Sequence, residues 1–373
     1  MSTHQIQPQQ YQELLSAKQR AITEQFARFS PPALETYPSP PSHYRMRAEF
    51  KLWHQGDACF YAMQPPGDKS AAPILMRDFP VASKTINAAM PKLLDLLAAQ
   101  PDFKRRLFQV EFLSTTSAEL LITLIYHRPL DEPWQQQAIE FLAELKQSLA
   151  TEVSLLELIG RSRKKRIVLG NDFVTESLDV NGTEFRYQQV ENSFTQPNAT
   201  ICRKMLEWAC QCSQALGGDL LELYCGNGNF TLPLAQNFDQ VFATEISKTS
   251  VNSANYNIKA NAVENVTVAR LSAEEFTQAF AGVRPFRRLQ GINLTDYRFS
   301  TVFVDPPRAG LDADTCKLVS DFDNILYVSC NPNSLAENLD VLTQTHSITR
   351  LALFDQFPYT HHAECGAFLQ RKR

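Results

Sequence analysis

The spacing of apolar and polar positions changes partway along the chain. Residues 8–29 carry Leu15, Ile22, Phe26 and Phe29 at helical spacing, which predicts a helix. A proline-rich stretch from Pro31-Pro32 to Pro40-Pro41 reads as an extended connector. From Tyr44 to Trp53 the residues alternate. Tyr44, Met46, Ala48, Phe50 and Leu52 fall on one face, and Arg45, Arg47, Glu49 and Lys51 on the other, which predicts a half-buried strand. Further strands are read at Phe108–Phe112, Glu119–Tyr126 and Leu155–Ile159, with helices at about 84–100 and 133–150. Strands with a few helices up to about residue 180 predict an α+β arrangement.

From about residue 181 the pattern becomes strand, helix, strand. A helix at about 199–215 precedes strands at Asp219–Tyr224, Gln240–Thr244, Val266–Val268, Thr301–Val304 and Asn324–Val328, with helices at about 247–261 and after 312. This alternation predicts an α/β, doubly wound, mostly parallel sheet. The expected organisation is therefore 1–41 as a helix and connector, 42–180 as an α+β domain and 181–373 as the α/β domain. A length of 373 residues fits two domains.

Composition narrows the class. A net charge of −4 gives no overall sign of a nucleic-acid partner, so basic surface must be local. The candidates are Lys104-Arg105-Arg106 and the run from Arg161 to Arg166. The eight cysteines include no CxxC pair and no spacing suited to zinc or an iron–sulfur cluster. The N-terminus is polar and no long apolar span is present, so neither a signal peptide nor a membrane helix is expected. The expectation is a reduced, cytoplasmic protein with no evident obligate protein partner.

Chemistry concentrates in the second half. The apolar run Ile325-Leu-Tyr-Val-Ser-Cys330 stops at Asn331-Pro332, which places a thiol at the carboxyl end of a strand, where open α/β sheets bind ligands. Tyr224-Cys-Gly-Asn-Gly-Asn229 follows another strand and opens a helix. Its glycines suit close backbone approach to a ligand, and Glu245 ends the next strand, where a carboxylate accepts from ribose hydroxyls. The third glycine of a dinucleotide fingerprint is absent, which favours S-adenosylmethionine. Asp305-Pro306-Pro307-Arg308 forms a rigid rim after a third strand. Enzymes that methylate base amino groups carry an aromatic residue at the position of Arg308. Downstream, Glu364 sits in His361-His-Ala-Glu-Cys-Gly366. Taken singly, these residues also read as a buried strand cysteine, a tight turn and a surface carboxylate.

A thiol, a methyl-donor loop and a carboxylate together suit methylation of uracil at C5. That carbon becomes nucleophilic only after a thiolate adds to C6, and a base must then remove the C5 proton. Cys330 suits the first role and Glu364 the second. Two readings compete: an amino-methylating enzyme working through Asp305, which needs no thiol, and an RNA-binding or RNA-folding protein. A cytosine-C5 enzyme fits less well, because its nucleophile sits in Pro-Cys or Thr-Cys.

The segments Gln189–Asn198, Leu221–Phe230, Phe303–Arg308, Tyr327–Pro332 and Phe354–Glu364, with Ser42–Phe50 upstream, resemble the RNA uridine-C5 methyltransferase family, and most closely its tRNA uracil-54 branch. The resemblance implies a class I Rossmann-like methyltransferase domain after an RNA-binding α+β domain. It implies Gln196, Tyr224, Asn229, Glu245 and Asp305 at the S-adenosylmethionine site, Cys330 as nucleophile and Glu364 as proton acceptor. The implied substrate is the T-loop uridine of tRNA, with the tRNA-like part of transfer-messenger RNA as a second. The N-terminal β-barrel and four-cysteine iron–sulfur motif of the ribosomal-RNA relatives are not evident, so neither metal nor cluster is expected. The target uridine must be flipped out to reach the thiol. Phe108, His127, Arg45, Arg47 and the 161–166 run are candidates for holding the opened loop.

Overall fold

The computed structural model describes residues 6–65, 71–163 and 165–373, so Lys164 of the basic run lies outside the described residues. The chain opens with α1 (Tyr11–Phe26) and a short strand, β1 (Glu35–Tyr37). Then come β2 (Arg47–Gln55), β3 (Ala58–Met63), β4 (Ile74–Met76), α2 (Lys84–Ala99), α3 (Pro101–Lys104), β5 (Leu107–Ser114), β6 (Glu119–Tyr126), α4 (Glu132–Ser148), β7 (Leu155–Ser162) and β8 (Lys165–Leu169). A hairpin of β9 (Phe173–Val180) and β10 (Thr183–Val190) leads to α5 (Ala199–Ser213). Next are β11 (Asp219–Leu223), α6 (Thr231–Leu234), β12 (Val241–Thr244), α7 (Lys248–Ala260), β13 (Val266–Ala269), α8 (Ala273–Phe280) and β14 (Phe299–Val304). The chain finishes with α9 (Ala313–Val319), β15 (Asn324–Ser329), α10 (Pro332–Leu342), β16 (His346–Phe354) and β17 (Glu364–Arg371).

The chain divides into two compact units. One holds Pro40–Ser177 and Gln189–Ala199; the other holds Gln10–Ser39, Leu178–Gln188 and Thr200–Arg373. In the first, the described strands run β4-β3-β2-β5-β6-β7-β8. The neighbours are antiparallel except β6 with β7, which α4 joins as a crossover. The alternation read for β2 holds: Ala48, Phe50 and Leu52 are buried while Glu49 and Lys51 face solvent. Trp134 of α4 lies so close over β7 that a Cβ on Gly160 would overlap its ring.

In the second unit the described strands run β1-β16-β17-β15-β14-β11-β12-β13, parallel except β17, which is antiparallel to both neighbours. Strands buried on both faces are continuous apolar runs, and every residue of β15 is buried. The core joins Leu221, Leu223, Val302, Val304, Ile325 and Tyr327 of the sheet to Ile22 and Phe26 of α1. The doubly wound sheet read from the alternation is therefore present. The proline-rich stretch is not a connector throughout. Glu35-Thr36-Tyr37 pairs with Ala352-Leu353-Phe354 as an edge strand, and Arg350 holds Glu35 through two bonds of 2.7 Å.

From β11 the chain winds outward through β12 and β13, then returns to lay β14 on the other side of β11. The switch point therefore lies between β11 and β14, the place where such sheets bind ligands beyond their carboxyl ends.

Candidate active site

Four strand ends meet at that edge. β11 ends in Tyr224, a non-glycine residue in the left-handed region (φ 63°), and the turn continues through Gly226 (φ 57°) and Gly228 (φ 84°). Three such residues in five turn the chain sharply, and the strained Tyr224 marks a place held by its surroundings. At the end of β12, Glu245 accepts from the Gly226 N–H through one oxygen (3.1 Å) and from the Ser247 N–H through the other (2.7 Å). Each carboxylate oxygen keeps a further lone pair for a ligand hydroxyl. Asn229 Nδ2 is a buried atom with no hydrogen-bond partner among the described residues, and the buried Glu222 carboxyl lies against the Thr231 hydroxyl. A buried polar atom left unpaired is costly, and Asn229 at this turn fits a polar ligand. Burial raises the Glu222 carboxyl to about 8.

Asp305 follows β14, whose Val304 is level with Tyr327 of β15. Cys330 follows β15 and is half-buried, whereas every other cysteine is buried. Because β17 runs antiparallel with Ser329 opposite Cys365, Glu364 enters the sheet at the end where Cys330 leaves it. That register sets a carboxylate beside a thiol from residues 34 positions apart in sequence.

The electrostatics follow from this packing. Burial pushes the Cys330 thiol up, and the negative charges of Glu364 and Asp305 push it further, while Arg308 pulls it down. Glu364 is held well above the usual carboxylate range by burial and by Asp305, again opposed by Arg308. Burial also raises Asp305. Arg308 is thus the cation of the group. Its backbone is fixed by Asn331, the residue after the cysteine, which donates from Nδ2 to the Arg308 carbonyl at 2.8 Å. α10 starts just after Cys330, with Asn331 as its cap and Pro332 in its first turn.

Of the residues read from sequence, Tyr224, Asn229, Glu245, Asp305, Cys330 and Glu364 all lie in the second unit, at the carboxyl edge of its parallel strands. Gln196 belongs to the first, in the turn before α5. Burial lowers His362, which packs against His361 with ring centroids 4.3 Å apart. No cluster of three or more metal-ligating side chains occurs among the described residues.

In the first unit, Phe108 and His127 stack with ring centroids 4.2 Å apart. They line a cavity of about 320 Å³ with Leu52, His54, Arg106 and Leu107. The Lys51 ammonium lies 6.0 Å from the Phe108 ring centre. Several arginines chosen by residue type have structural partners. Arg161 and Arg166 pair with the buried Glu191, and Arg47 donates to the Ser193 carbonyl at 2.5 Å. Arg45 donates to the Arg47 carbonyl at 2.8 Å, and burial lowers its pKa.

Sequence reading missed two asparagines that brace the site: Asn331, and Asn338 on α10, which bonds the loop after β14. It also missed Lys18. Only Asn331, a cap residue before Pro332, carried a local signal.

Comparison with known proteins follows the same lines. The model of the family described as tRNA (uracil-5-)-methyltransferase matches residues 10–372. A tRNA/tmRNA (uracil-C(5))-methyltransferase of Vibrio vulnificus is 55% identical over 374 residues, covering 100% of both chains. One of the same name from Saccharophagus degradans is 56% identical over 368 residues, covering 99% of this chain and 98% of its own. Among solved structures, the Pyrococcus abyssi tRNA (uracil-54, C5)-methyltransferase in complex with S-adenosyl-L-homocysteine superposes with a TM-score of 0.71 at 22% identity. It covers 96% of this chain and 83% of that one, and shares the fold. A family model spanning nearly the whole chain, with relatives more than half identical from end to end, makes this chain a member of the tRNA (uracil-5-)-methyltransferase family.

Proposed function

We propose that this chain transfers a methyl group from S-adenosylmethionine to C5 of the T-loop uridine at position 54 of tRNA, in the cytoplasm, and acts likewise on the tRNA-like part of transfer-messenger RNA. The observation that carries the chemistry is the β15–β17 register, which sets Glu364 beside Cys330 with Asp305 and Arg308 facing both.

The orphaned Asn229 Nδ2, the Gly226–Gly228 turn and the open lone pairs of Glu245 fit an adenosyl ligand carrying an amino-acid tail. Tyr224, Asn229, Glu245 and Asp305 of the second unit would hold it. When bound, S-adenosylmethionine supplies a methyl group made electrophilic by a positively charged sulfur.

The chain's own residues do the rest. The Cys330 thiol gives up its proton to solvent, eased by Arg308, and the thiolate sulfur bonds to C6 of the uracil. The C5–C6 electron pair shifts towards C4 and O4, which leaves C5 nucleophilic. After C5 is methylated, the Glu364 carboxylate takes the C5 proton. The electrons of that C–H bond then re-form the C5–C6 double bond as the C6–S bond breaks and the thiolate leaves. A carboxylate with a raised pKa is a stronger base once ionised, as removal of a carbon-bound proton requires. The Phe108–His127 stack offers an aromatic face to bases unstacked when the uridine flips out.

The test incubates wild type, Cys330→Ala and Glu364→Gln with unmodified tRNA and methyl donor, then separates the products on a denaturing gel for mass spectrometry. Cys330→Ala should be inactive. Glu364→Gln should accumulate a methylated protein–RNA adduct through Cys330. Methyl transfer that survives Cys330→Ala would instead point to amino methylation through Asp305.

A further inference from the structure

Glu364 follows a connection, residues 355–363, that is neither helix nor strand. Such a segment needs something besides a sheet ladder to fix it. Lys18, on α1, meets it at three points. Its ammonium donates to Asp355 Oδ1 (2.6 Å) at the start, to the Phe357 carbonyl (3.2 Å) in the middle and to the His362 carbonyl (2.8 Å) two residues before Glu364. All three donors of the ammonium are thus engaged. The pair is deep: the side chain of Lys18 is 10% exposed and that of Asp355 1%. The same N-terminal segment adds two more contacts. The Asp355 N–H donates to the Tyr37 carbonyl at 3.0 Å. The Tyr11 ring lies 6.0 Å from that of Tyr359, a loop residue in the left-handed region (φ 64°).

Cys330 is held differently. It lies between β15 and α10, and its surroundings are tied by Asn331 and Asn338, neither of which bonds to Lys18. Lys18 itself thus bonds to the loop before Glu364, while its helix reaches the helix after Cys330 through other side chains, Gln25 to Asn333 Oδ1 (2.9 Å) and, just beyond α1, Arg28 to Asp340 (2.7 Å).

We propose that Lys18 is a positioning residue for proton removal: its ammonium gathers the 355–363 loop so that Glu364 stands beside Cys330. This rests on reading Glu364 as the base. A buried ammonium with three loop partners cannot be lost quietly: the His362 carbonyl would lose its bond to Lys18 and the buried Asp355 its cation, leaving local bonds such as that of the Thr360 hydroxyl to the Phe357 carbonyl to hold the loop. Thiol addition and methyl transfer do not use Glu364, so they should persist while the C5 proton stays in place.

The experiment uses the full chain with Lys18→Met, Lys18→Arg, Asp355→Asn, Glu364→Gln and Cys330→Ala, a T-arm RNA and labelled methyl donor. Single-turnover adduct formation and release of methylated RNA are timed separately. Lys18→Met should form adduct at the wild-type rate and release methylated RNA about 100-fold more slowly, the scale of loss expected for a misplaced catalytic group. KM for RNA should stay unchanged, and Lys18→Arg, which keeps the charge and donors, should recover part of the release rate. Should Lys18→Met fail to fold, Asp355→Asn carries the same comparison. Release at the wild-type rate, or equal loss of adduct formation and release in a folded variant, overturns the inference. If Glu364→Gln traps adduct and the Lys18 variant does not, only the role of Lys18 falls. If Glu364→Gln traps none and Cys330→Ala stays active, the underlying reading of the site falls instead.

Discussion

Asn338 ties the loop after β14 to the helix that follows Cys330, and its replacement tests how much that tie is worth. Oδ1 accepts from the Leu311 N–H (2.9 Å) and the Tyr327 hydroxyl (2.7 Å), and Nδ2 donates to the Leu311 carbonyl (3.0 Å). The packing is close: a Cβ on Gly310, which sits at φ 78°, would meet Asn338 Oδ1 at 2.7 Å. Asn338→Leu keeps the volume and removes all three bonds. Leu311 and Tyr327 are 6% and 0% exposed, so water cannot readily replace them. At about 1–3 kcal/mol for each of the three buried groups left without its partner, the loss comes to about 3–9 kcal/mol. That is a large share of the roughly 5–15 kcal/mol by which proteins are stable. Asn338→Asp keeps an acceptor for Leu311 N–H and Tyr327 but turns an oxygen towards the Leu311 carbonyl, so it should cost about 1–3 kcal/mol. Urea unfolding, followed by circular dichroism, measures both. The reasoning is refuted if Asn338→Leu stays within about 1 kcal/mol of wild type, since even one net bond of that size would account for it.

Two further outcomes follow from the charges at the site. Arg308→Met removes the cation that opposes Asp305 and Glu364, so the Cys330 thiol should ionise at higher pH; the pH profile of alkylation by iodoacetamide, which reaches this half-buried cysteine before the buried ones, should move upward, and an unmoved profile would deny Arg308 its role. Glu222 has a folded pKa of about 8 against an ordinary value of 4.5. Between those values the folded chain holds a proton that the unfolded chain has released, so this group lowers stability as pH rises through that window. Glu222→Gln should flatten the fall in unfolding midpoint between pH 5 and pH 8, and an unchanged slope would assign the fall to other groups.

The sequence by itself determined most of the elements and the family. Strand ends at Tyr224, Glu245, Asp305 and Cys330 were legible because buried parallel strands are apolar runs that stop at glycine, proline or a polar residue. The family resemblance then supplied roles that no single spacing could. Some local signals went unread. Asn181-Gly182, with φ of 52° and 86°, is the turn of the β9–β10 hairpin, and such a pair between alternating runs predicts one. The edge strand β1 was hidden because three residues among prolines carry no period. Its place is fixed by Arg350, 315 residues away.

Only the tertiary structure decided what surrounds Cys330 and Glu364. No period or motif could show that β17 runs antiparallel between β15 and β16, and that reversal is what brings Glu364 to Cys330. Nor could sequence show that Arg308 faces both, that Asn338 braces the loop or that Lys18 reaches residues 355–362. Patterns of apolar and polar residues report burial of each element's own face, which is a local property. Raised pKa values, opposed charges and loop anchors depend on which elements become neighbours, and that is settled only when the sheet closes its register and the helices pack upon it.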